Sequence, residues 1–157
     1  MAVDFDTEVQ ELAAQYADSR SAVLPALRLA QERHDGWLPP EALEEVGRAL
    51  GLTPAYCKSI ASFYDMLHLQ PVGQRMIEVC TNVSCALVGA QQVLEAFERE
   101  LGVRAGETSE DGAFTVRTVE CLGGCGWATI VALDERYRTR VQPADVPGIL
   151  EELRNAD

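Results

Sequence analysis

The sequence predicts an α+β fold. A small helical bundle should occupy residues 1–70, and an α/β domain with a mixed sheet should follow over residues 74–157. Three observations carry this reading. Apolar residues recur at helical spacing up to about Tyr64. A turn-rich joint, Gln70-Pro71-Val72-Gly73, then interrupts the pattern. Beyond it, strand-like and helix-like runs follow in the order β-α-β-β-β-α, which suits helices packed on a mixed sheet.

In the first part, Val9, Leu12, Ala13 and Tyr16 fall on one face of a helix over 6–17, with Asp6 or Thr7 as its cap. A second helix should run from Ser21 to His34. Val23, Leu27 and Ala30 share a side, Pro25 lies near the first turn, and Gly36 follows the end. Pro39-Pro40 opens a third, with Leu43, Val46 and Leu50 inward and Gly51 as its stop. Thr53-Pro54 caps and starts a fourth, to about Tyr64. Four short helices with brief connections make an antiparallel bundle.

In the second part, Arg75 to Cys80 reads as a strand. Ala86 to Leu101 reads as one amphipathic helix, with Leu87, Ala90, Leu94, Phe97 and Leu101 as its stripe and Gly102 as its end. Residues 103–113 are polar and Gly-bearing, so a loop is expected. Phe114 to Glu120 is a strand with Phe114, Val116 and Thr118 on one side. Thr129 to Leu133 suits a buried strand, which Tyr137 to Val141 can pair as a hairpin. A last helix covers about Asp145 to Leu153.

Composition narrows the function. The chain has 157 residues, 47% of them apolar, enough for a packed core. Its formal charge is −12, which repels phosphate backbones and anionic membrane surfaces, so neither nucleic acid nor a membrane surface is an expected partner. No apolar run is long enough to span a bilayer. Met1 to Asp6 has no basic or apolar character of a signal peptide. A reducing cytoplasm is the expected compartment, where a cysteine array more often binds metal than forms disulfides. The count of five cysteines is odd, which also argues against a simple disulfide set.

Four of the five form two tight pairs, Cys80-Thr-Asn-Val-Ser-Cys85 and Cys121-Leu-Gly-Gly-Cys125. Each pair sits where an apolar strand-like run gives way to a small, turn-prone sequence. Four thiolates suffice for an iron–sulfur core, and a [2Fe–2S] core needs two terminal ligands on each iron, which two separate pairs can supply. Gly123, Gly124 and Gly126 carry no Cβ, so their N–H groups can approach sulfur closely. A helix starting near Ala86 would aim its positive end at the first pair. Zinc also accepts four thiolates, so the spacing leaves a structural zinc site as the rival reading. A thioredoxin-like dithiol is disfavoured, because no Cys-x-x-Cys occurs.

Several stretches together resemble a known family. Ser21-Ala-Val-Leu-Pro-Ala-Leu27 through His34 to Trp37-Leu38 resembles its second helix. Ala61-Ser-Phe-Tyr-Asp-Met66 with Pro71-Val-Gly73 resembles its domain joint. Cys80-Thr81 to Cys85 with Gly89-Ala90, and Val119-Glu-Cys-Leu-Gly-Gly-Cys125, resemble its two ligand loops. The family is that of the E-type subunits of NADH–quinone oxidoreductase, the small thioredoxin-like [2Fe–2S] proteins of respiratory complex I. Its relatives serve NAD-dependent formate dehydrogenases and NAD-reducing hydrogenases. The resemblance covers nearly the whole chain.

The resemblance implies a thioredoxin-like second domain carrying one [2Fe–2S] cluster. It places Cys80 and Cys85 on one iron and Cys121 and Cys125 on the other. It implies a non-catalytic electron carrier that exchanges electrons with the flavin of an NADH-binding partner subunit, beside a further iron–sulfur subunit. The helical part would be a docking element. The place would be the cytoplasm, or the cytoplasmic face of the inner membrane as part of a complex. An equivalent subunit of a soluble formate dehydrogenase or hydrogenase is the first alternative, and a zinc-stabilised interaction module without redox activity is the second. Two positions depart from the family pattern: many members have Ala where this chain has Gly124, and Pro where it has Thr129.

Other residues carry less. Cys57 is spaced as a core residue of the fourth helix. His34 suits a helix C-terminus, and neither it nor His68 is needed beside four cysteines. Trp127 either covers the cluster, faces a partner, or packs on the sheet. Glu107, Glu110 and Asp111 read as a solvated loop, and no carboxylate pair or phosphate-binding glycine motif is present. No residue is expected to act as acid, base or nucleophile.

Overall fold

The computed structural model describes residues 4–155. The chain divides into two compact units, Met1–Pro71 and Val72–Asp157.

Among the described residues, the first unit holds four α-helices: α1 (Phe5–Ala13), α2 (Val23–Arg33), α3 (Pro40–Leu50) and α4 (Pro54–Phe63). Their boundaries follow local chemistry. Pro40 and Pro54 occupy first-turn positions, where a missing N–H costs nothing. The Thr53 hydroxyl accepts the Tyr56 N–H at 3.2 Å. Gly51 ends α3 at φ +67°, a conformation that side chains avoid. Val9, Leu27, Ala30, Val46, Cys57 and Ala61 meet in one apolar core.

Three details differ from the sequence reading. Helix α1 starts at Phe5, and Asp4 at its N-cap makes no side-chain capping bond. It ends at Ala13, so Tyr16 lies beyond it and is exposed. A single 3₁₀ turn over Ser19–Ala22, capped by the Asp18 carboxylate, precedes α2.

The second unit is a five-stranded mixed sheet in the order β2-β3-β1-β4-β5. Its strands are β1 (Arg75–Cys80), β2 (Glu107–Thr108), β3 (Phe114–Val119), β4 (Val131–Leu133) and β5 (Arg136–Arg138). β1 and β3 are parallel, in register from Arg75↔Phe114 to Cys80↔Val119. The other neighbours are antiparallel. Asp134 and Glu135, both at positive φ, make the tight turn between β4 and β5. The helices are α5 (Val83–Leu87), α6 (Ala90–Leu101) and α7 (Val146–Asn155). Phe97 of α6 and Val146 and Leu150 of α7 share a core with Ile77, Phe114 and Val116 of the sheet.

Here too the sequence reading needs correction. The single helix expected from Ala86 to Leu101 is two helices. Gly89 at φ +102° separates them. Ala90, Val93, Leu94 and Phe97 form the buried face of α6, but Leu87 falls on α5 and is 81% exposed. The expected loop over 103–113 contains the short strand β2, held by pairing Thr108 with Thr115. Thr118 is exposed although Phe114 and Val116 on the same strand are core. β4 starts at Val131 and β5 at Arg136, so the hairpin is tighter than expected. Among the described residues no helix is long and apolar enough to cross a membrane.

Candidate metal centre

Both cysteine pairs sit at the ends of parallel neighbours. Cys80 is the last residue of β1, and Cys121 follows the end of β3 by two residues. Since Cys80 is in register with Val119, the parallel pairing delivers both loops to the same end of the sheet, at the C-termini of β1 and β3. The Thr81 N–H donates to the Val119 carbonyl at 3.0 Å and ties the loops together.

Cys85 is the third residue of α5, whose start is capped by Asn82 Oδ1 accepting the Val83 N–H at 2.9 Å. The first pair therefore does not precede a long helix, as expected from sequence; Cys85 lies inside a short one. Cys125 opens a 3₁₀ turn to Trp127, and α5 packs against that turn.

Cys80 and Cys85 are buried with Ala90, Val119 and Ile130, and Leu122 and Ala128 pack on them. Ile130 braces this pair from the backbone. Its carbonyl accepts the Cys80 N–H at 3.1 Å, and its backbone also favours the Cys85 thiolate. Burial pushes the Cys85 thiol up. The Ile130 backbone pulls it down, while the neighbouring Cys80 and Cys125 sulfurs add to the rise. Cys80 and Cys125 thus stand close enough to Cys85 to act on it electrostatically. Cys121 and Cys125 are exposed. The Gly123 N–H, on a residue at φ +75°, donates to Cys121 Sγ at 3.3 Å.

The remaining candidates separate from this group. Cys57 belongs to the helical core and is fully buried, which raises its thiol. His34 Nε2 lies 3.1 Å from Glu45 Oε2 on α3. Trp127 is 57% exposed. The peptide between Ala128 and Thr129 is cis. Sequence reasoning singled out Thr129 only as a departure. Its hydroxyl proves to be buried without a hydrogen-bond partner.

Among the described residues, no three His, Cys, Asp or Glu side chains converge on one point where a single ion would sit. A [2Fe–2S] core takes its four terminal ligands as two pairs, one on each iron. The cysteines present fit that division. Two are sheltered and two are exposed, and the Gly123 N–H reaches the Cys121 sulfur.

Comparison with known proteins agrees. The family model for thioredoxin-like [2Fe–2S] ferredoxins matches residues 9–154. The second E-type NADH-quinone oxidoreductase subunit of Rhizobium meliloti is 42% identical over 96% of this chain and 89% of its own. NADH-quinone oxidoreductase subunit 2 of Thermus thermophilus is 38% identical over 86% of this chain and 75% of its own. A crystal structure of NAD+-reducing [NiFe]-hydrogenase in the H2-reduced state superposes with a TM-score of 0.73 at 21% identity. That match covers 85% of this chain and 23% of the hydrogenase chain, and it speaks for the fold alone. The choice that cysteine spacing left open between zinc and iron–sulfur therefore falls to a [2Fe–2S] cluster. The chain belongs to the thioredoxin-like [2Fe–2S] ferredoxin family, among the E-type subunits of NADH–quinone oxidoreductase.

Proposed function

We infer that this chain is an electron-carrier subunit of an NADH–quinone oxidoreductase, with Cys80 and Cys85 ligating one iron and Cys121 and Cys125 the other. One observation carries the reading: the first pair is buried and the second is exposed on adjoining loops. A cluster held this way is anchored on one side and open to a partner on the other. When bound, it supplies one-electron chemistry.

The chain's own groups hold that site. The Ile130 backbone and the Gly123 N–H stabilise thiolate charge on Cys85 and Cys121. Ala90, Val119 and Ile130 exclude water from the inner pair. Val83, Leu87 and Trp127, all exposed, lie on the two segments that meet beside Cys125. They form an apolar lip suited to a docking partner.

The partner is a flavin- and NADH-binding subunit, with a further iron–sulfur subunit in the same complex. The helical unit serves as a docking element for these neighbours. The complex places the chain in the cytoplasm or on the cytoplasmic face of the inner membrane. No residue of the chain is required as acid, base or nucleophile.

The test is rapid reduction by NADH, followed by visible absorption and electron paramagnetic resonance. With the cognate flavoprotein subunit present, NADH should reduce the cluster; with the isolated chain it should not. A cluster that dithionite reduces but NADH plus flavoprotein leaves oxidised would overturn the assignment.

A further inference from the structure

Thr129 is fully buried. Among the described residues, its Oγ1 is the one buried side-chain oxygen or nitrogen with no hydrogen-bond partner. Folded proteins rarely leave a buried hydroxyl unpaired, because water satisfied it in the unfolded chain. The carbonyl of the same residue is engaged, accepting the Val141 N–H at 3.1 Å.

The position of this hydroxyl suggests its acceptor. Thr129 lies between Ala128, which packs on the Cys80 and Cys85 group, and Ile130, which is buried within it. The Ile130 carbonyl already accepts the Cys80 N–H at 3.1 Å. The segment carrying the hydroxyl is thus a wall of the cysteine site. That wall is closed to solvent, and no protein acceptor meets the hydroxyl there. The sulfurs of a [2Fe–2S] core are anionic acceptors that arrive with the cofactor. A threonine hydroxyl has one rotatable donor to offer them.

We propose that the Thr129 hydroxyl donates a hydrogen bond to a sulfur of the bound cluster and thereby raises its reduction potential. The bond strengthens as the core gains an electron, because the reduced core is the more negative acceptor. Thr129 is a positioning and tuning residue and not a ligand. The proposal rests on the four-cysteine assignment above.

The full-length chain and its Thr129→Val, Thr129→Ala and Thr129→Ser variants test it, each purified without oxygen and assayed for iron and sulfide. Val keeps the shape and removes the donor; Ala removes both; Ser keeps the donor. Redox titration followed by electron paramagnetic resonance should show a lower potential for Val and Ala and the parent potential for Ser. The Fe–S stretching bands should shift on transfer to D2O more in the parent and Ser than in Val or Ala. An unchanged potential in whichever of Val or Ala retains the cluster overturns the proposal. So does a Ser variant that falls as far as Ala. Absence of iron and sulfide from the parent chain itself would instead overturn the four-cysteine assignment.

Discussion

Gly124 stands where any side chain would crowd Ile130. A Cβ built on Gly124 would lie 3.0 Å from Ile130 Cδ1 and 3.1 Å from its Cγ1. The glycine makes room for the side chain that buries Cys80 and Cys85. Gly124→Ala should therefore cost about 1 kcal/mol by overpacking. Ile130→Val removes Cδ1, the nearer of the two crowding atoms, and should cost about 0.5–1.5 kcal/mol by itself. Combined, the two should be less harmful than their sum, with a coupling of roughly 0.5 kcal/mol or more. Urea unfolding of the four chains checks this, and strict additivity would contradict it.

Gly73 faces a harder obstacle. A Cβ there would stand 2.7 Å from the Phe114 carbonyl carbon and 2.9 Å from its nitrogen. The neighbour is strand backbone, which cannot swing aside as a side chain can. The Gly73 N–H also donates to Thr115 Oγ1 at 2.6 Å. Gly73→Ala should destabilise the α/β unit by about 2 kcal/mol or more. A thermal midpoint equal to that of the parent would contradict this.

Cys57 separates packing from ligation. It is fully buried in the helical core. Cys57→Ser places a hydroxyl among apolar side chains and should cost about 1–3 kcal/mol. The visible spectrum of the cluster should be unchanged. A bleached Cys57→Ser protein that remains folded by circular dichroism would refute the assignment of Cys57 to packing alone.

Asp111 gives a pH dependence of known sign. Its carboxylate accepts from the Ser109 hydroxyl and from the Ala113 N–H at 3.0 Å, and these bonds hold its pKa below the ordinary aspartate value. The unfolded chain then binds the proton more readily than the folded one. The stabilisation is complete above the unfolded value of about 3.9 and is lost as the pH falls through the lower folded value. Asp111→Asn should accordingly show a shallower loss of stability between about pH 5 and pH 2. Urea midpoints across that range check it, and parallel curves for the two proteins would contradict it.

Much of the fold was legible in the sequence because caps act locally. Pro40, Gly51, Thr53-Pro54 and Gly102 mark helix ends at or within a residue of where the structure has them. The α5–α6 break was not legible, since Leu87 continues the apolar stripe of α6 by spacing alone. Only the backbone shows that Gly89 interrupts the helix. β2 escaped because two residues carry no periodicity, and pairing with β3 makes them a strand. In the site, spacing alone picks out the four paired cysteines as candidates. Their division into a buried pair and an exposed pair could not, because it depends on Ile130 folding back over Cys80 and Cys85. The unpartnered Thr129 hydroxyl was invisible for the same reason: burial is a property of tertiary packing.

The most direct test of the central claim is iron and acid-labile sulfide per chain, with a visible spectrum, on protein purified without oxygen. The parent chain should hold about two irons and two sulfides. Serine at Cys80, Cys85, Cys121 or Cys125 should lower that content or change the spectrum, and Cys57→Ser should not. One zinc and no sulfide in the parent chain would contradict the account, as would full cluster content after loss of any two of those four cysteines.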